Sequence, residues 1–170
     1  MIRCATAADL TLLPAIEVAA GAPFRELGMT LVADDAPPTV AELEPALRDG
    51  RLWVATVEGA VAGYAVADVV DGTAHLEQVS VDPRWAGRRL GAELIEEVAR
   101  WAAVRGDRWL TLTTYAEVPW NGPYYRRLGF EPIPDAEVGP QLRAIRAGEA
   151  ARGLDAWPRL ALRRPPAAVR

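Results

Sequence analysis

Val79-Ser80-Val81-Asp82-Pro83-Arg84-Trp85-Ala86-Gly87-Arg88-Arg89-Leu90-Gly91 is the stretch on which the reading of the chain turns. Its first half, with His75-Leu76-Glu77-Gln78 before it, alternates or runs apolar and reads as a strand that Asp82-Pro83 ends. Its second half predicts a helix beginning near Gly87. Leu90, Leu94, Val98, Trp101 and Ala102 take the apolar face, and Glu93, Glu96, Glu97 and Arg100 the other. Between the two, Gly87 and Gly91 leave backbone N–H groups unobstructed. A helix start carries unpaired N–H donors and the positive end of the dipole, which suits a phosphate. Arg84, Arg88 and Arg89 add full positive charge. The physical reading is a pyrophosphate cradle. A tight strand–helix connection ringed by solvated arginines is the plainer reading of the same residues.

Two better-known phosphate loops are excluded. The spacing of Gly87 and Gly91 is not G-x-G-x-x-G, and a P-loop needs a lysine, of which the chain has none. Val-x-Val-Asp-Pro followed by Trp-Ala-Gly-Arg-Arg-Leu-Gly-Ala-Glu-Leu-Ile resembles instead the acetyl-CoA pyrophosphate loop of the GNAT N-acetyltransferase superfamily. The family pattern Gln/Arg-x-x-Gly-x-Gly/Ala falls on Ala86, Arg89 and Gly91, and only Gly91 conforms. Gly87, Leu90 and the Val-Asp-Pro before them fit its wider form. Pro119-Trp120-Asn121-Gly122-Pro123-Tyr124-Tyr125-Arg126-Arg127-Leu128-Gly129-Phe130 is similar to the family's other signature, an Asn followed by a short helix ending Tyr-x-x-Leu-Gly-Phe. With their surroundings the two motifs cover about the stretch from Arg51 to Ile133, in the family's order.

Composition narrows the classes. At 170 residues the chain is most simply one domain with a real core, and no apolar run reaches membrane-spanning length. The N-terminus enters a strand-like segment without a signal-peptide core, and the single Cys4 forms no internal disulfide; both suit a reducing cytoplasm. The net charge of -4 argues against general nucleic-acid binding. With one histidine and one cysteine, a Cys/His zinc site is not expected, and no metal is. Ser80, the only serine, sits mid-strand on the face opposite His75, which excludes a serine-hydrolase triad.

In chain order the pattern predicts a strand at Ile2–Ala5, a helix start at Thr6-Ala7-Ala8-Asp9, and Pro14 opening or restarting a helix that runs to Gly21. A loop at residues 33–38 and a capping box at Thr39-Val40-Ala41-Glu42 follow, the latter opening a helix that Gly50 closes. Strands at Arg51–Val57, Ala60–Val70 and Ala74–Val81 form a meander, with turns at Glu58-Gly59 and Asp71-Gly72. After the central helix come a strand at residues 108–114, a late helix at 141–151 and a final strand at 157–163. The strands flanking the central helix should run parallel through a right-handed crossover. The expected fold is mixed α/β: a single domain over residues 1–164 with a frayed tail at 165–170. The resemblance implies a mostly antiparallel central sheet flanked by helices, with a splayed parallel pair at the cofactor site.

The resemblance implies acetyl-CoA as cosubstrate, its pyrophosphate held at Ala86, Gly87, Arg88, Arg89, Gly91 and Ala92. The main chain of Val79 and Val81 suits the pantetheine amides, by strand addition, and Asn121 is expected to cap its helix and bond the cofactor. Tyr125 matches the family's tyrosine, which implies a general acid for the leaving thiolate. For the base, Glu77 ranks before His75, the other titratable group on that strand face, and bulk water stays open. The expected activity is transfer of an acetyl group to a primary amine of a small molecule, amino acid or peptide by direct attack in a ternary complex. A non-catalytic acyl-CoA sensor and a purely structural module are the alternatives. No membrane or nucleic-acid partner is expected, and the oligomeric state stays open, with a homodimer among the options.

Overall fold

The structure is a computed structural model that describes residues 1–166. Of the tail expected at 165–170, residues 167–170 lie outside the described residues. Among the described residues seven strands form one mixed sheet in the order β1-β2-β3-β4-β5-β7-β6. The chain divides into two compact units, Met1–Asp68 with Glu77–Val98, and Val69–Leu76 with the residues from Ala99 onward.

In the first unit β1 (Ile2–Cys4) pairs antiparallel with β2 (Leu52–Val57), which pairs with β3 (Ala60–Val70) in the same sense. The β2–β3 turn has Glu58 and Gly59 at φ 52° and 82°, the doubly left-handed turn that matches the twist of a hairpin. Helix α1 (Leu13–Gly21) starts with Pro14 in its first turn and buries Leu13 and Ile16; a four-residue helix, α2 (Thr30–Ala33), is one that no sequence signal announced. Helix α3 (Val40–Arg48) opens on the expected capping box: Thr39 Oγ1 accepts the Glu42 N–H at 3.2 Å while Glu42 Oε2 accepts the Thr39 N–H at 2.7 Å. Leu10, Leu13, Ile16, Leu43, Leu52, Val54, Tyr64 and Val66 form the core under α1 and α3. Asp9 ties the first strand down, accepting two guanidinium N–H bonds from Arg3.

β4 (Thr73–Val81) leads through a single 3-10 turn at Pro83–Trp85 into α4 (Leu90–Arg105). The buried stripe of α4 is Leu90, Leu94, Ile95, Val98, Ala99 and Ala102. Trp101, expected on that stripe, is only partly buried and stacks under the Arg105 guanidinium 4.9 Å from its ring centre. Ile95 and Ala99 take its place because a 3.6-residue repeat drifts off a strict four-residue count.

In the second unit the start of β4 pairs parallel with β5 (Leu110–Tyr115) through Ala74↔Leu110 and His75↔Thr111, as the crossover required. Helix α5 is Gly122–Arg127 and β6 is Glu131–Pro132; helix α6 (Pro140–Ala151) and β7 (Arg159–Arg164) follow. β7 lies antiparallel between β5 and β6. The β3–β4 turn clasps the start of α6. Asp71 Oδ1 and Oδ2 accept the N–H groups of Gln141 and Leu142 at 2.8 and 2.9 Å, and the Gln141 side chain accepts the Asp71 N–H at 2.6 Å. Asp71 thus caps α6 from seventy residues away.

Candidate active site

The strand–turn–helix stretch is built on Asp82. Its N–H donates to the Ala62 carbonyl at 2.9 Å, and its carboxylate accepts the Arg84 N–H at 2.9 Å and the Arg84 guanidinium at 2.6 Å. The hydrogen bonds from the Arg84 side chain hold Asp82 below the usual carboxylate range. Arg84 is therefore committed to Asp82, and Arg88 lies over the Trp85 ring at 5.1 Å. Of the three arginines expected to charge the turn, Arg88 and Arg89 are exposed with no hydrogen bond or ion pair among the described residues, and Arg89 makes no ring contact either.

Helix α4 begins at Leu90 and not near Gly87. Gly87 and Arg89 both have left-handed backbone, at φ 78° and 62°, which a right-handed helix cannot include. No atom lies within 4 Å of where a Cβ on Gly87 would stand, so the outer side of the turn is open. The first helical bond runs from the Glu93 N–H to the Arg89 carbonyl at 3.1 Å, leaving the N–H groups of Leu90, Gly91 and Ala92 without a helical acceptor. Open backbone at Gly87, three donors and a free cation at Arg89 fit a pyrophosphate.

β4 supplies an edge beside the turn. Because the Asp82 N–H points to β3, alternation along an antiparallel ladder turns the backbone groups of Val81, Val79 and Glu77 to the other edge. The ladder from β4 to β5 ends at His75. β3 runs close beneath: a Cβ on Gly63 would stand 2.7 Å from the Ser80 carbonyl oxygen and 3.2 Å from the Val81 Cα. Glu77 is exposed, yet desolvation in its groove, then Asp68, push its carboxyl above the usual range, with Arg51 pulling the other way. His75 is 4% exposed and its Nδ1 shares a hydrogen bond with Thr111 Oγ1 at 2.8 Å, so it is a satisfied interior group.

One group in this unit escaped the sequence reading. Glu17 of α1 accepts hydrogen bonds from the Tyr64 hydroxyl at 2.7 Å, the Ser80 hydroxyl at 2.7 Å and the Gln78 amide at 3.0 Å. Burial, then the Glu17 charge, push the Tyr64 phenol far up, and Glu77 adds to it. The signal was present: Glu17 is the only charged residue of α1, a helix otherwise apolar.

The second unit carries the other two expected residues. Asn121 precedes α5 as its cap position, but its side chain makes no capping bond and its Nδ2 donates to the Trp120 carbonyl at 3.3 Å. Its φ of -117° and ψ of -108° depart from the extended backbone that aims a capping oxygen at the helix. Among the described residues Asn121 Oδ1 is buried without a hydrogen-bond partner, an acceptor that fits a ligand donor. Tyr125 is 8% exposed, set edge-on to Phe130 and Tyr124 with ring centres 5.7 Å apart in both pairs. Burial, with Tyr124 second, pushes its pKa up, so the phenol keeps its proton at neutral pH.

The sequence profile of the Acetyltransferase (GNAT) domain matches residues 48–132, half of the chain, and the chain belongs to that family. Solved structures share the fold. The PaiA N-acetyltransferase of Thermoplasma acidophilum, in complex with coenzyme A, is 12% identical with a TM-score of 0.71, over 97% of this chain and 98% of that one. The ribosomal-protein-alanine N-acetyltransferase of Brucella melitensis is 23% identical, with a TM-score of 0.68 over 97% and 99%. The N-acetylglutamate synthase of Neisseria gonorrhoeae, complexed with coenzyme A and N-acetyl-glutamate, is 18% identical with a TM-score of 0.69, over 99% of this chain and 35% of that one.

Proposed function

We propose that the protein is an N-acetyltransferase that uses acetyl-CoA as cosubstrate and a primary amine as acceptor, by direct attack in a ternary complex. The observation that carries this reading is the turn before α4, with left-handed Gly87 and Arg89 and the unpaired N–H groups of Leu90, Gly91 and Ala92. Acetyl-CoA supplies an activated acyl carbon and a thiolate leaving group. The turn holds the pyrophosphate, with Ala86 and Arg88 flanking it and Arg89 adding charge. Val79 and Val81 offer main-chain donors and acceptors to the pantetheine amides, and an N–H on this edge stabilises the charge that develops on the acyl oxygen. Glu77, whose carboxyl desolvation and Asp68 raise above the usual range, takes the proton of the attacking amine. Tyr125, protonated at working pH, gives its proton to the departing sulfur, and Asn121 Oδ1 accepts from the cofactor.

Gly87→Asp tests the cradle. It places a bulkier, anionic residue on the open side of the turn and leaves packing alone, since nothing lies within 4 Å of the added Cβ. Calorimetry should show acetyl-CoA affinity down by about tenfold or more. Unchanged affinity in a folded variant removes the proposal. A non-catalytic acyl-CoA sensor is favoured by one observation, that Ala86 and Arg89 depart from the family pattern. It predicts binding without CoA release from any amine in a thiol-titration panel.

A further inference from the structure

In the second unit β7 loses its outer neighbour partway along. β6 pairs with it through Glu131↔Arg163 and Pro132↔Leu162, the Ile133 N–H then donates to the Ala161 carbonyl at 3.0 Å, and the chain leaves the sheet. The Pro158 carbonyl faces β5, where it accepts the Ala116 N–H at 2.8 Å. Alternation therefore turns the backbone groups of Arg159 to the edge that β6 no longer covers. A cavity of about 370 Å³ lies against that edge, between β7 and α6.

Three arginines line it, Arg143 and Arg146 one turn apart on α6 and Arg159 on β7. Each is held by only part of its guanidinium. Arg159, whose side chain is 9% exposed, commits Nε and Nη2 to Glu149 Oε2 at 2.6 and 2.5 Å. Arg146 donates through Nη1 to Glu149 Oε2 at 3.3 Å and to Asp155 Oδ1 at 3.2 Å. Arg143 has no carboxylate partner among the described residues; its Nη2 donates to the carbonyls of Asp135 and Val138, both at 3.1 Å. Nη1 of Arg143, Nη2 of Arg146 and Nη1 of Arg159 thus make no bond among the described residues. Glu149 and Asp155 offset two of the three charges, and Asp135, the acid in the lining, is exposed and meets Arg143 through its backbone carbonyl. Ile133, Val138 and Leu160 add apolar wall. Guanidinium forks match a carboxylate, and a cavity of this size with apolar walls and a few converging donors fits a small molecule.

We infer that this cavity binds a small organic carboxylate, its head on the open donors of Arg143, Arg146 and Arg159 and its apolar body against Ile133, Val138 and Leu160. The site belongs wholly to the second unit and shares no residue with the turn before α4 or with Glu77, Asn121 and Tyr125. Charge and body both contribute, so a ligand that lacks either is held less well.

The test titrates benzoate, benzamide and acetate into the full chain by calorimetry. Benzamide keeps the ring and loses the charge; acetate keeps the carboxylate and loses the ring. Each should bind wild type at least about tenfold more weakly than benzoate. Arg143→Gln, at an exposed position with no acid left unpaired, should weaken benzoate by about tenfold or more and leave benzamide unaffected. Val138→Trp fills the cavity, keeps the three charges and should weaken both. Gly87→Asp, in the other unit, should bind benzoate as wild type does. If Arg143→Gln does not fold, Val138→Trp decides. If neither folds, magnetisation transfer from the benzoate ring to the methyl groups of Ile133, Val138 and Leu160 in wild type decides, and its absence overturns the inference. No benzoate binding, benzamide or acetate bound as tightly, benzoate affinity unchanged in a folded Arg143→Gln or Val138→Trp, or affinity lost in Gly87→Asp each overturns it as well.

Discussion

Arg89→Gly should make the protein more stable. Arg89 stands at φ 62°, and a left-handed backbone costs a residue with a Cβ about 1–2 kcal/mol. Its side chain is exposed and makes no hydrogen bond or ion pair among the described residues, so nothing is lost in removing it. Glycine's greater freedom in the unfolded chain takes back roughly 0.5–1 kcal/mol. The net gain is about 0.5–1 kcal/mol, a rise in Tm of about 1–4 °C for a chain of this size. Arg89→Ala is the control: it removes the same charge and keeps the strain, so it should gain nothing. Both variants should lose the same modest share of acetyl-CoA affinity, within about fivefold, and lose less at high salt. Scanning calorimetry of the three proteins, with titration of acetyl-CoA into each, separates backbone from charge. Arg89→Gly no more stable than Arg89→Ala would refute the strain argument.

Gly63→Ala should push β4 away at Ser80 and Val81, costing about 1–3 kcal/mol in urea melts and weakening acetyl-CoA binding, because a Cβ there meets backbone at 2.7 Å. Unchanged melts would mean the strands part freely. Glu77, with its pKa raised in the folded protein, favours folding by its protonated form. That contribution is complete below its unfolded value, about 4.3, and is lost as pH rises through the folded value. Glu77→Gln should therefore gain stability over wild type at pH 7 but not below pH ~4, and flatten the acidic limb of the rate profile; melts and rates across that range decide it. Tyr125→Phe keeps the ring contacts with Phe130 and Tyr124 and deletes the proton. Turnover should fall about ten- to a thousandfold with melting unchanged, and by less with an acyl donor whose thiol is more acidic. Equal loss with both donors would assign the phenol to positioning.

Local signals were the legible ones. Thr39 and Glu42 sit three apart and close a capping box within one turn, and Glu58-Gly59 announced its turn on its own. The parallel pairing of β4 and β5 followed from the helix between them. What escaped depends on partners distant in sequence. Glu17 meets Tyr64 across 47 residues and Ser80 across 63, so no window along the chain contains the network. The start of α4 was misplaced because arginine carries no local sign of a left-handed backbone, and Asn121 failed to cap because its own backbone turns the side chain away. β6, two residues long, is defined only by its partner β7.

The clasp between Asp71 and α6 sets an order of events in folding. Two carboxylate oxygens and a backbone N–H at the β3–β4 turn meet the first turn of a helix some seventy residues later. Closing a loop of that length is slow compared with the microseconds a hairpin needs. The hairpin is thus a prepared template, and α6 has nothing to cap its first N–H groups until that template exists. Local opening runs the same sequence backwards, so α6 should exchange its amide protons ahead of the hairpin that holds it.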